Sequence, residues 1–247
     1  MRALGLMAIT VSALVALLLG EIVLARGRTY LVDVPFTVDR TVGVARDDRE
    51  PLELRVLGDS TAAGVGTDAA ADALPSLIAE RVARRLGRPV HVVGVGASGA
   101  RTADVTRTQL GMVRNADVVV IVVGSNDVIH VTTPGRMRER TGDLLDAASA
   151  LEVPVVLGGV PRFYGVSALL QPLRAVVDGY AGVLRDVQED VAASRPGVRF
   201  VDIATLASPR FLGVPEAMSR DQFHPSAVGY GFWADALAPA VADAVRS

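Results

Sequence analysis

Leu52-Glu53-Leu54-Arg55-Val56-Leu57-Gly58-Asp59-Ser60-Thr61 is a short apolar run that stops on a Gly-Asp-Ser turn. Four further runs resemble it, Val90 to Val95, Asp117 to Val123, Val153 to Leu157 and Val198 to Val201. Between them the apolar residues change to helical spacing, as in Leu74, Leu77, Ile78, Val82 and Leu86, or Leu144, Leu145, Ala148 and Leu151. Continuous rather than alternating apolar strands imply a sheet covered on both faces. The alternation predicts an α/β fold, a three-layer α/β/α sandwich around a doubly wound, parallel, five-stranded sheet. In such sheets ligands bind beyond the carboxyl ends of the strands, so the loops there carry the functional information.

Composition removes many alternatives. The 247 residues are 50% hydrophobic and 21% charged, with a net charge of -2, which fits one globular domain and a modest extra segment. There is no Cys, and all 25 basic residues are Arg. Thiol nucleophiles, thiolate metal sites, Schiff-base lysines and phosphate-cradling lysines are therefore excluded. Interspersed charges of both signs leave no basic stripe for a nucleic-acid partner.

Ala3 to Gly20 holds no charge, and Glu21 alone interrupts an apolar run reaching Ala25 before Arg26 and Arg28. That length reads as a membrane anchor or signal segment over residues 1–26, favouring an uncleaved anchor, with the catalytic part membrane-anchored or secreted and outside the cytoplasm. Residues 27–51, with charges clustered from Arg46 to Glu50, read as a linker or edge segment, and residues 52–247 as the catalytic domain.

The loops after the strands supply the parts of an acyl-transfer site. Ser60 ends the first run and can present its hydroxyl at the sheet edge, but a serine hydroxyl needs a base. His224, in Asp221-Gln222-Phe223-His224-Pro225, is the best-placed imidazole, and Asp221 can turn back onto its other ring nitrogen. A developing oxyanion needs donors, which the Ser60 N–H, Gly99 and Asn126 can provide. His130, Phe163 and Tyr164 follow strand ends closely enough to be candidates for lining the substrate. No metal or organic cofactor is required, and the expected partner is an acyl ester.

Taken together, Gly58-Asp59-Ser60, Gly96-Ala97-Ser98-Gly99, Gly124-Ser125-Asn126-Asp127 and Asp221 to Pro225 resemble, in order, the blocks of the SGNH/GDSL hydrolases. The resemblance implies a flavodoxin-like fold, Ser60 as nucleophile, Asp221 and His224 as its partners, and Ser60, Gly99 and Asn126 as the oxyanion hole. It implies an esterase or lipase-like serine ester hydrolase acting on a lipid, carbohydrate or small-molecule ester. An acyltransferase with the same triad and a non-enzymatic envelope ligand-binding module are the alternatives. Thr61 departs from the family's usual aliphatic residue after the nucleophile, and Gly94 stands where many members have Asn.

Gly94-Val95-Gly96-Ala97-Ser98-Gly99 also matches the dinucleotide fingerprint. The acidic residue such a site needs should close the next strand, whereas Asp117 opens it, so nucleotide binding is disfavoured. Trp233 reads as core, and His91 as a core or edge residue of its strand.

Overall fold

The computed structural model describes residues 2–44 and 49–246, with side chains from Thr10 onward. In chain order the elements begin with helix α1 (Arg2–Arg26), strands β1 (Asp39–Val42) and β2 (Leu52–Gly58), a short helix α2 (Ser60–Ala63), and α3 (Leu74–Leu86). Next come β3 (Val90–Gly94), α4 (Thr102–Thr108), β4 (Val118–Val122), α5 (Ser125–Ile129), α6 (Pro134–Ser149) and β5 (Val155–Gly158). The chain closes with α7 (Leu173–Ala193), β6 (Val198–Val201), α8 (Ile203–Leu206) and α9 (Ala227–Ala244).

The sheet has six strands in the order β1-β3-β2-β4-β5-β6, and it is mixed: β1 runs antiparallel to β3 while all other neighbours are parallel. The expectation of five parallel strands is corrected here. β1 is Asp-Arg-Thr-Val with only Val42 buried, so it has no continuous apolar run to reveal it. One neighbour and one exposed side suffice for an edge strand, and a charged edge also resists pairing with other chains. The parallel strands taken alone follow the flavodoxin-like order, second, first, third, fourth, fifth.

Every residue of β4 is buried, because its two faces meet separate cores. Val118, Val120 and Val122 join the core under α3 and α9, whereas Val119 and Ile121 join the one under α4, α6 and α7. This period of two explains the unbroken apolar run. The chain leaves β2 toward β3 on one side and later places β4 on the other, so the loops after β2 and β4 part at the switch point. Ser60 and Asn126 stand in those two loops.

The segment expected as a membrane anchor or signal is the helix α1, although the side chains of residues 1–9 lie outside the described residues. Among the described residues, no helix is long and apolar enough to cross a membrane. Leu18, Ile22 and Ala25 pack against the core beneath α7. Glu21 is 5% exposed and accepts the Leu173 N–H at 2.7 Å. Its side-chain oxygen thus meets one of the amides that the first turn of α7 leaves without an acceptor. Of the charged cluster from Arg46 to Glu50, residues 46–48 lie outside the described residues.

Candidate active site

The turn that presents Ser60 is built around Gly58. Its φ is +147°, and a Cβ there would stand 1.9 Å from the Val122 carbonyl oxygen. Only glycine lets β2 approach β4 this closely at its end. Asp59 then caps α2, its Oδ1 accepting the Thr61 N–H at 2.9 Å and the Thr61 hydroxyl at 2.7 Å. Complete burial raises the Asp59 pKa, an effect that the two bonds from Thr61 oppose. The Thr found in place of an aliphatic residue therefore has a partner. Ser60 follows as the first residue of α2, where its N–H has no intrahelical acceptor.

His224 reaches this turn from the far end of the chain. Its Nδ1–H donates to Asp221 Oδ2 at 2.7 Å, which leaves Nε2 to accept the Ser60 hydroxyl at 3.0 Å. Asp221 Oδ1 accepts the His224 N–H and the Phe223 N–H, both at 2.9 Å, and the Ser219 hydroxyl at 2.8 Å. Oδ2 also takes the Leu31 N–H at 3.0 Å. Burial works to raise the Asp221 pKa, but the His224 ring and these backbone donors outweigh it and hold the carboxyl far below the usual range. A fixed carboxylate orients the ring and stabilises the imidazolium.

The candidate oxyanion donors lie beside Ser60. Gly99 has φ +77° and open space on its Cβ side. Asn126 donates one amide hydrogen to the Ala100 carbonyl at 3.1 Å, which fixes the side chain and leaves the other hydrogen for a ligand. The next residue, Asp127, is fully buried and locks α5 to α4: Oδ2 accepts the N–H and hydroxyl of Thr102, each at 2.8 Å, and Oδ1 accepts the Thr132 hydroxyl at 2.9 Å.

Two cavities open onto Ser60. A narrow one of about 60 Å³ is lined by Phe163, Tyr164, Phe211, Met218 and Trp233. Phe163 and Tyr164 are held by Asp178 Oδ1, which accepts their N–H groups at 2.7 and 3.2 Å. Trp233 belongs to the core, as expected, but it also faces this cavity, and its Nε1–H has no partner among the described residues. The second is an apolar groove of about 620 Å³ containing Gly99 and Asn126. His130 lines neither cavity; its Nδ1–H donates to the Asn126 carbonyl at 2.8 Å.

The dinucleotide fingerprint has another use. A Cβ on Gly96 would come within 2.3 Å of the Ala63 nitrogen, so this glycine lets the loop after β3 pack on α2. Sequence reading gave no role to Leu31, Ser219 or Asp127. Asp127 stood inside a quoted block, whereas nothing in the sequence pairs Leu31 with a residue 190 positions away.

Residues 56–232 match the model of the GDSL-like lipase/acylhydrolase family. Over 198 residues the chain is 30% identical to a GDSL-like esterase of Mycobacterium tuberculosis, an alignment covering 78% of this chain and 63% of that relative. Among solved structures, the lipase/acylhydrolase from Enterococcus faecalis superposes with a TM-score of 0.62 at 23% identity, covering 78% of this chain and 96% of the other. The structure of TesA superposes with a TM-score of 0.61 at 22% identity, covering 78% and 99%. At these identities the two structures speak for the fold.

Proposed function

Because the chain belongs to the GDSL-like lipase/acylhydrolase family, we propose that it is a serine ester hydrolase working through an acyl-enzyme on Ser60. The observation that carries this reading is the hydrogen-bonded line from Ser60 Oγ to His224 Nε2 and from His224 Nδ1 to Asp221 Oδ2. The substrate is an acyl ester of a lipid, a carbohydrate or a small molecule.

Ser60 Oγ attacks the ester carbonyl carbon as His224 Nε2 takes its proton, and the carbonyl electron pair moves onto oxygen. The Ser60 and Gly99 N–H groups and the free Asn126 amide hydrogen receive that oxyanion. They are fixed before it forms, so little reorganisation is needed. As the intermediate collapses, the ester C–O bond breaks and His224 gives its proton to the departing alcohol. Water then attacks the Ser60 ester, His224 takes its proton, and the acid leaves as Ser60 regains its hydrogen. Asp221 stays ionised throughout.

Fluorophosphonate labelling of the full chain, with the adduct located by peptide mass spectrometry, tests the nucleophile and its base. The adduct is expected on Ser60, absent in Ser60→Ala, and formed about a hundredfold more slowly or worse in His224→Ala. Folded wild-type protein that forms no adduct on Ser60 would refute the reading.

A further inference from the structure

Residues 21–32 lie outside the stretch 56–232 that matches the family, yet they reach the Ser60–His224–Asp221 line. The two oxygens of Asp221 are held differently. All donors to Oδ1 come from its own loop: Ser219, Phe223 and His224. Oδ2 receives the His224 ring on one side and, on the other, the Leu31 N–H at 3.0 Å from the opposite end of the chain. The carboxylate plane is therefore set jointly by its loop and by this distant amide.

Aromatic contacts follow the same path. Tyr30 meets Phe223 edge-on with centroids 5.1 Å apart, and Phe223 meets the His224 ring edge-on, also at 5.1 Å. Away from Asp221, Glu21 ties the segment to α7 by accepting the Leu173 N–H, and within the segment the Tyr30 hydroxyl donates to the Ala25 carbonyl at 2.9 Å, which closes the turn between α1 and Leu31. The groove of about 620 Å³ that opens onto Ser60 runs between this segment and α7, with Ile22 and Tyr30 on one side and Leu173 and Val177 on the other.

We infer that residues 21–32 are a working part of this active site, Leu31 being a positioning residue whose N–H orients Asp221, and Tyr30 a wall that favours esters carrying an extended apolar chain. The inference rests on the ester-hydrolase reading. Removing the Leu31 amide frees one side of Oδ2, so the His224 ring loses alignment whatever ester is bound. Removing the Tyr30 ring opens the groove, which matters only to a chain long enough to lie in it.

The test is kcat and KM of the full chain on p-nitrophenyl acetate and p-nitrophenyl octanoate. Leu31→Pro, which lacks the N–H, is expected to lower kcat about tenfold on both esters with KM changed less than about twofold. Leu31→Ala keeps the N–H and should stay within about twofold of wild type. Tyr30→Ala should raise the octanoate KM by about fivefold while the acetate KM moves less than about twofold. Wild-type kcat in a Leu31→Pro protein that melts with Leu31→Ala would overturn the positioning role, and an unmoved octanoate KM in Tyr30→Ala would overturn the wall. Should Leu31→Pro not fold, Glu21→Ala/Tyr30→Ala, which removes the tie to α7 and the bond that closes the turn before Leu31, takes its place. A lowered kcat on the acetate ester then supports the inference, and an unchanged one overturns it. Failure of the underlying reading has a different signature, wild-type protein with no Ser60-dependent hydrolysis of either ester.

Discussion

Gln109 shows how a side chain can do the work of a strand. Its Oε1 accepts the Gly58 N–H at 2.8 Å and its Nε2–H donates to the Gly58 carbonyl at 2.7 Å, two residues before Ser60. Gln188 does the same between the loops after β4 and β5, accepting the Val160 N–H at 2.9 Å and donating to the Val123 carbonyl at 3.0 Å. Both side chains are buried, so their hydrogen bonds complete groups that water does not reach. Gln109→Met is nearly isosteric and leaves both Gly58 groups bare, so urea denaturation should record a loss of about 2–4 kcal/mol. The rate of fluorophosphonate labelling at Ser60 should fall with it, because the turn after Gly58 carries the hydroxyl. Neither glutamine was legible in the sequence, since their partners are backbone groups, which no residue type marks. The grouping of Ser60, Asp221 and His224 was legible for the opposite reason: few residue types can supply a nucleophile, a base and its carboxylate, Ser60 directly follows β2, and Asp221 and His224 share one loop.

At the scale of elements, β1 and α1 are where the structure adds most. β1 is held to the sheet by its ladder to β3 and by His91, whose ring sits between Glu53 of β2 and Asp39 of β1, with both nitrogen-to-oxygen distances 2.8 Å. Hydrogen bonding to Glu53 first, then to Asp39, raises the His91 pKa above its ordinary 6.5. A pKa raised on folding adds stability that is fully present below 6.5 and is lost as the pH climbs through the folded value. The stability of wild-type protein should therefore decline from pH 6.5 upward more steeply than that of His91→Gln, read as urea midpoints across the range. Parallel curves would remove His91 from the account. Burial of Glu21 likewise gives α1 a docking contact that an apolar run cannot announce.

Across the whole molecule, one sheet separates two cores. Leu237 of α9 is fully buried in the first and Leu184 of α7 in the second. Each Leu→Ala change should lower stability by about 2–5 kcal/mol through lost burial and the cavity left behind. Because the sheet keeps the sites apart, the double variant should equal the sum to within about 0.5 kcal/mol in chemical denaturation. A larger discrepancy would mean that the sheet transmits strain between its faces.

The sequence by itself determined the alternation of strand and helix, the five parallel strands and the loops that hold Ser60, Gly99, Asn126, Asp221 and His224. These depend on local periodicity and on chemistry specific to residue type, both of which can be read along the chain. Tertiary structure alone decided the sixth strand, the docking of α1 on α7, the glutamine clamps and the amide of Leu31 on Asp221. Each of these joins a backbone group or a half-exposed edge to a partner far away in the chain. Hydrogen bonds of that kind obey geometry rather than residue identity, so they exist in no sequence pattern until the chain has folded.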